Sequence, residues 1–234
     1  MKKLSTLLAL FVAFALTAQE SYFTIYNFSV AAEDVSTVYK LVDDYYSANK
    51  PEGVTVSLYE NHFNDSGNNY THSIVFSGSL DALGGMYGPD SNDTWELFIT
   101  RVNQNMESGF SSAMGATMAS FGGDATPNVI QRYYLLDVED GDAFEKAYSK
   151  YNSSHLKEGI TVAMGGFTSG HSPDGENRWV IQGYKDFKTA MGGANSIRTP
   201  TEKKASDKAW EEFMDTNGGV ELVRSGLRIR LGQW

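Results

Sequence analysis

Apolar and polar positions follow one another along this chain in short blocks whose periods change in a fixed order. Tyr22–Val30 (YFTIYNFSV) is dense in aromatic and β-branched side chains and predicts a strand. Glu33 and Asp34 place negative charge where a helix N-terminus favours it, and a helix is predicted from there to about Asn49. Gly53 suits the left-handed turn that follows a helix. Val54–Tyr59 predicts a strand, Asn64–Asn69 a turn, and Tyr70–Ser77 the returning strand of a hairpin. A second helix is predicted from near Asp93, with Trp95 and Phe98 on one face. A weaker strand around Ser112–Phe121 closes the block.

The same order then recurs. Val129–Val138 predicts a strand and Ala143–His155 a helix; Ile160–Met164 and Arg178–Tyr184 predict a hairpin about Asp174-Gly175. Ser206–Asp215 predicts a helix, and Leu227–Leu231 alternates as a final strand. Sliding the chain by 106 residues puts PEGVTV (Pro51–Val56) on KEGITV (Lys157–Val162), Tyr45 on Tyr151 and Lys40 on Lys146. After a further shift of two, Ala82-Leu83-Gly84-Gly85 meets Ala190-Met191-Gly192-Gly193. Trp95-Glu96-Leu97-Phe98 also matches Trp210-Glu211-Glu212-Phe213. Matching blocks in one order identify an internal duplication.

Strand, helix, strand, strand, helix, strand, read twice, is an α+β pattern. Each copy predicts a four-stranded antiparallel sheet with both helices on one face, the ferredoxin-like arrangement. The opposite face is apolar, and the second copy can cover it. On this element order, the PEGVTV and KEGITV turns and the paired WExF helices, residues 20–234 resemble the dimeric α+β barrel superfamily. That superfamily includes antibiotic-biosynthesis monooxygenases and haem-degrading monooxygenases. The resemblance implies two tandem ferredoxin-like units, residues 19–125 and 126–234, packed sheet to sheet as an intramolecular barrel. It also implies a monomer with a pseudo-twofold axis, because the copies satisfy each other.

The first 18 residues change the expected location. Lys2 and Lys3 precede the apolar run Leu7–Leu16, and Ala18 offers a small residue before Gln19, the pattern of a cleaved signal peptide. The run is too short for a bilayer span of about 20 residues. An exported protein, periplasmic or extracellular, with no stable membrane insertion after signal removal, is therefore expected. The chain has no cysteine, which excludes disulfides, thiolate metal sites and a cysteine nucleophile. Its net charge is −10, and losing Lys2 and Lys3 takes it to −12. Nucleic acid and anionic membrane surfaces are therefore excluded as partners for want of a basic footprint.

Chemistry-bearing residues are few. A hairpin turning about Gly67 would set His62 opposite His72, with Glu60 on the same face, a donor set suited to a divalent transition metal. Polar decoration of an exposed hairpin is the plainer reading. His155 ends a helix, and His171 sits in a Gly/Ser-rich loop. Trp95 and Trp210 are candidate substrate-binding residues that could floor a cleft between helix and sheet. As packing anchors, both would be largely buried, each between its own helix and its own sheet. Arg228 and Arg230 share a strand face and could meet an anionic ligand, but a solvated edge or pairing with the chain's excess of carboxylates is the plainer reading. The glycine pairs Gly84-Gly85 and Gly192-Gly193 read as turns. Nucleophile elbows, phosphate loops and dinucleotide fingerprints are absent from the sequence, and no cofactor is specified. A repeated scaffold without a repeated polar constellation favours a protein that binds a small apolar or aromatic ligand. The alternatives are a monooxygenase-like enzyme, cofactor-free or haem-dependent, and a purely structural module.

Overall fold

The computed structural model describes residues 21–64, 67, 69–88, 92–170 and 174–234. The signal segment with its cleavage point and His171 lie outside the described residues. The elements are β1 (Ser21–Ser29), α1 (Val35–Ala48), β2 (Val54–Phe63), β3 (His72–Gly78), α2 (Leu80–Met86), α3 (Asp93–Gln104) and β4 (Ser108–Phe121). They continue with β5 (Ile130–Val138), α4 (Gly141–His155), β6 (Thr161–Ser169), β7 (Arg178–Tyr184), α5 (Phe187–Gly192), α6 (Pro200–Thr216) and β8 (Val220–Gln233).

The protein is α+β, and its eight strands form one closed barrel in the order β1-β3-β2-β8-β5-β7-β6-β4. Every pairing is antiparallel. Strands β4-β1-β3-β2 make one run and β8-β5-β7-β6 the other. The runs join along two seams, β2 with β8 and β4 with β6. Closure leaves no strand edge unpaired, which removes the hazard an open edge carries.

Alternation along the strands decides what lies outside and inside. Val54, Val56 and Leu58 of β2 bury against Val38, Val42 and Tyr46 of α1 and Phe98 and Val102 of α3. Val162, Met164 and Val180 bury against Phe144 and Tyr148 of α4 and Phe213 of α6. The intervening residues therefore face the lumen. Trp179 and Phe23 meet there edge to face at 5.4 Å. Tyr59, Tyr133 and Gln131 are buried there too. An eight-stranded barrel is just wide enough for side chains to fill it. Arg228 is among them: its Nε donates to Gln131 Oε1 at 3.0 Å and its guanidinium lies 4.0 Å from the Tyr59 ring centre. The solvated-edge reading of Arg228 is thus corrected, because closure turns that strand face inward. Arg230 donates to the Thr126 carbonyl oxygen.

The helix starts follow from local chemistry. Asn92, Asp140 and Thr199 accept from the backbone N–H three residues on. Thr199 and Glu202 form a complete capping box with Pro200 at the first turn, so α6 begins six residues before the predicted Ser206. The paired Gly84-Gly85 and Gly192-Gly193 blocks, read as turns, belong to the short helices α2 and α5 and their ends. Ser79 and Asp186 cap these helices. Gly193, at φ +64°, ends α5 in a backbone conformation that a side chain would strain. Among the described residues no helix is long and apolar enough to cross a membrane.

Candidate functional site

A hollow opens on the outer face of the second run, between α5 and the β5–β8 pair. It measures about 460 Å³ and is lined by Phe63, Asn64, Arg132, Tyr134, Phe187, Ala190, Met191, Ser225, Gly226 and Leu227. Ligand sites commonly span about 300–1,000 Å³ with an apolar lining and a few polar groups. Another hollow, along α6, is lined by residues of that helix alone, from Pro200 to Glu211, and so is surface relief.

Each wall has a local cause. Asp186 Oδ1 accepts from Thr189 N at 2.7 Å and starts α5. Ala190, wholly buried, then docks α5 on Ile130, Tyr184 and Leu227. A register shift between Asn61 and Phe63 in the β2–β8 seam re-aims Phe63. Its ring meets Phe187 at 6.1 Å and His62 at 4.9 Å, making an aromatic rim. Gly226 is required by its neighbour: a Cβ there would come within 2.3 Å of the Tyr133 hydroxyl, which donates to Asn64 Oδ1 at 3.3 Å.

Arg132 sits in the middle of the β5 side of this hollow. It faces Gln182 on β7 and Leu227 on β8. Its guanidinium lies over the Tyr134 ring, 5.5 Å from the centre. Burial raises the Tyr134 phenol above its ordinary value, and Arg132 opposes the rise. Burial likewise pushes the Tyr184 phenol up to about 12, again against the pull of Arg132. Both hydroxyls therefore stay protonated donors at neutral pH.

The corresponding place in the first run looks different. Tyr26, 106 residues before Arg132, occupies in β1 the position that Arg132 holds in β5, between Ile74 of β3 and Ser112 of β4. Tyr87, just after α2, reaches over it. The two hydroxyls hydrogen-bond at 2.8 Å, and Tyr87 donates to Thr24 Oγ1 at 2.8 Å. One half is bridged by its own side chains, and the other is open over an arginine.

The residues singled out in the sequence lie elsewhere. Trp95 is half-buried and Trp210 is 42% exposed, so the expectation that both are largely buried is corrected. Neither lines the hollow. Each sits between helices: Trp95 meets Tyr45 at 5.8 Å and Phe98 at 5.5 Å, and Trp210 meets Tyr151 at 5.2 Å and Phe213 at 4.7 Å. The two runs thus carry similar aromatic triads, with the second left more open to solvent.

The predicted histidine pairing is two residues out of register. Glu60, and not His62, stands opposite His72. His62 Nδ1 lies 3.8 Å from Glu60 Oε1 and exposed. Among the described residues no group of three or more histidine or carboxylate side chains is placed to hold a metal ion. His72 is 2% exposed, stacks on Phe28 at 5.9 Å and pairs through Nδ1 with Thr71 Oγ1 at 2.8 Å.

Burial holds His72 below its ordinary pKa, with Glu60 pulling the other way. The imidazole is therefore neutral when folded, and the unfolded chain takes up its proton first as pH falls. Its effect is absent above the unfolded value of about 6.5 and grows as a loss of stability below it. Denaturant midpoints of wild type and His72→Gln, measured from pH 8 to pH 5, are expected to converge or cross as pH falls. Parallel curves would show that His72 is not the responsible group.

No family model matches the chain, and neither does any curated protein. Solved structures do resemble it. A candidate monooxygenase from Lactobacillus acidophilus NCFM is 15% identical, with 90% of this chain and 93% of that chain covered at a TM-score of 0.57. An anthrone oxidase-like protein is 11% identical, covering 92% and 93% at 0.55. A chlorite dismutase variant from Candidatus Nitrospira defluvii is 9% identical, covering 91% and 92% at 0.51. At these identities the likeness is one of fold, an α+β chain closed into an eight-stranded barrel.

Haem, which the resemblance implies for some members, does not fit the hollow. Its lining offers no histidine, and His62 at the rim turns its ring edge-on to Phe63 and Phe187.

Proposed function

We propose that this chain is an exported protein that binds a small apolar or aromatic ligand in the hollow beneath α5. In this reading it descends from a tandem duplication of a ferredoxin-like unit, residues 19–125 and 126–234, and works as a monomer. One half kept its groove bridged, and the other opened it into a site. The observation that carries the reading is the asymmetry between the Tyr26–Tyr87 bridge and the open, aromatic-rimmed space at Arg132.

The test uses 1-anilinonaphthalene, a neutral aromatic probe that brightens in apolar surroundings. Saturable binding at one site per chain is expected. Ser225→Trp puts an indole into the hollow from a half-buried position and is expected to weaken binding about tenfold or more. No saturable binding to the wild type, or undiminished binding to Ser225→Trp, overturns the reading. Turnover of the ligand is a second reading, supported by the fold's likeness to the candidate monooxygenase. Ligand-dependent oxygen consumption by the purified protein distinguishes it from binding alone.

A further inference from the structure

We propose that the ligand of this hollow is an organic anion, an apolar or aromatic body whose carboxylate, sulfonate or phenolate oxygen meets Arg132. The inference rests on the hollow being a ligand site and adds the charge that the ligand carries.

The first support is what Arg132 lacks. Lys40, Lys150, Lys157 and Arg224 pair with carboxylates. Arg132, half-buried at the hollow, pairs with none among the described residues. It faces a tyrosine ring and two phenols instead. A half-buried guanidinium without a counter-ion is an unfavourable arrangement. An anion arriving from solution relieves it, and the planar fork of arginine suits two-oxygen acceptors.

The second support is the other half of the molecule. Tyr26 has its hydrogen bond supplied by Tyr87, so that position is satisfied within the chain. At the matching position the second half carries a charge that meets the phenols of Tyr134 and Tyr184 and, among the described residues, no carboxylate. The hydroxyls of Tyr134 and Ser225 and the amide of Asn64 lie around the same space and can donate to further oxygens of the ligand. Phe63, Phe187 and Leu227 offer apolar contact to its body. Inorganic anions would use only the first group of residues, whereas an aromatic anion uses both.

The test compares two probes that differ only by a charge: 1-anilinonaphthalene and its 8-sulfonate. Wild-type protein is expected to bind the sulfonate about tenfold more tightly than the neutral probe at low salt, the usual scale of a charge-assisted hydrogen bond. Arg132→Gln is expected to abolish that preference, the two probes then binding with equal affinity, and Arg132→Lys to keep part of it. Added salt should erode the preference without touching the neutral probe.

Equal affinity of the wild type for both probes overturns the anion proposal and leaves the hollow as a neutral site. Failure of both probes to bind overturns the hollow itself and this inference with it. Sulfonate binding that survives Ser225→Trp shows the probe lodged elsewhere and overturns the proposal. Equal loss of both probes in Arg132→Gln and Arg132→Lys makes Arg132 a packing residue and also overturns it.

Discussion

Phe144→Ala is expected to destabilise the protein by about 3–5 kcal/mol, the usual range for emptying a buried phenylalanine site. Phe144 is 1% exposed and sits where α4 crosses the sheet. Its ring stacks on Tyr148 at 5.5 Å and meets Phe213 of α6 edge to face at 6.4 Å. Met164 and Val180 close the layer beneath. Collapse into the gap is restricted from both sides. Tyr148 and Phe213 are fixed to each other at 5.5 Å, and the strands are held on both edges by the closed barrel. For a chain of this size, each kcal/mol corresponds to about 2–4 °C, so the melting temperature should fall by about 6–20 °C. Circular dichroism on heating and urea midpoints at unchanged slope would measure it. A loss below about 1 kcal/mol would mean that α4 moves bodily inward, which the ring geometry argues against.

Element type was largely legible in the sequence, because long strands and helices announce themselves by period. Bounds were less so, and each miss has a cause. The strands β4 and β8 extend beyond Ser112–Phe121 and Leu227–Leu231 because the added residues find a neighbour on one side, 108–112 along β1 and 220–226 along β5. Ladder hydrogen bonds there hold glycine- and serine-rich stretches such as Ser108–Ser112 that propensity does not favour. The hairpin register, with Glu60 opposite His72, depends on the length of the connection, and composition alone does not set that length.

The site was mostly hidden. Its wall, α5, is six residues long, and its glycines predict a turn. Asp186, three residues before Thr189, was the available signal of a helix start. Arg132 was hidden for another reason. The repeat sets an arginine against Tyr26, but it also sets Glu145 against Tyr39 and Lys150 against Asp44, so the exchange does not stand out until the fold places it. Trp95 and Trp210 drew notice for the opposite reason: they match, and what matches in both halves is the shared scaffold. Their different exposure follows from neighbours that the repeat does not fix.

The seam between β4 and β6 carries the second large effect. Gly165 faces the lumen, where a Cβ would come within 2.1 Å of the Ala116 carbonyl oxygen and 2.4 Å of the Trp179 ring. Gly115, across the seam, is equally tight against the Gly166 carbonyl oxygen at 2.1 Å. Backbone cannot retreat there without loosening the pairing that closes the barrel, and Trp179 is held by Phe23. Gly165→Ala is therefore expected to cost about 3 kcal/mol, the upper part of the range for overpacking. Gly109→Ala is the control: it lies in β4, across the seam from the β6 strand of Gly165, with nothing within 4 Å of the added carbon, and it should change stability by less than about 0.5 kcal/mol. The fluorescence of Trp179 should shift in the first variant and not in the second, since only the first presses on its ring. A Gly165→Ala protein as stable as Gly109→Ala would show that the seam yields, and that the closed barrel depends little on these glycines.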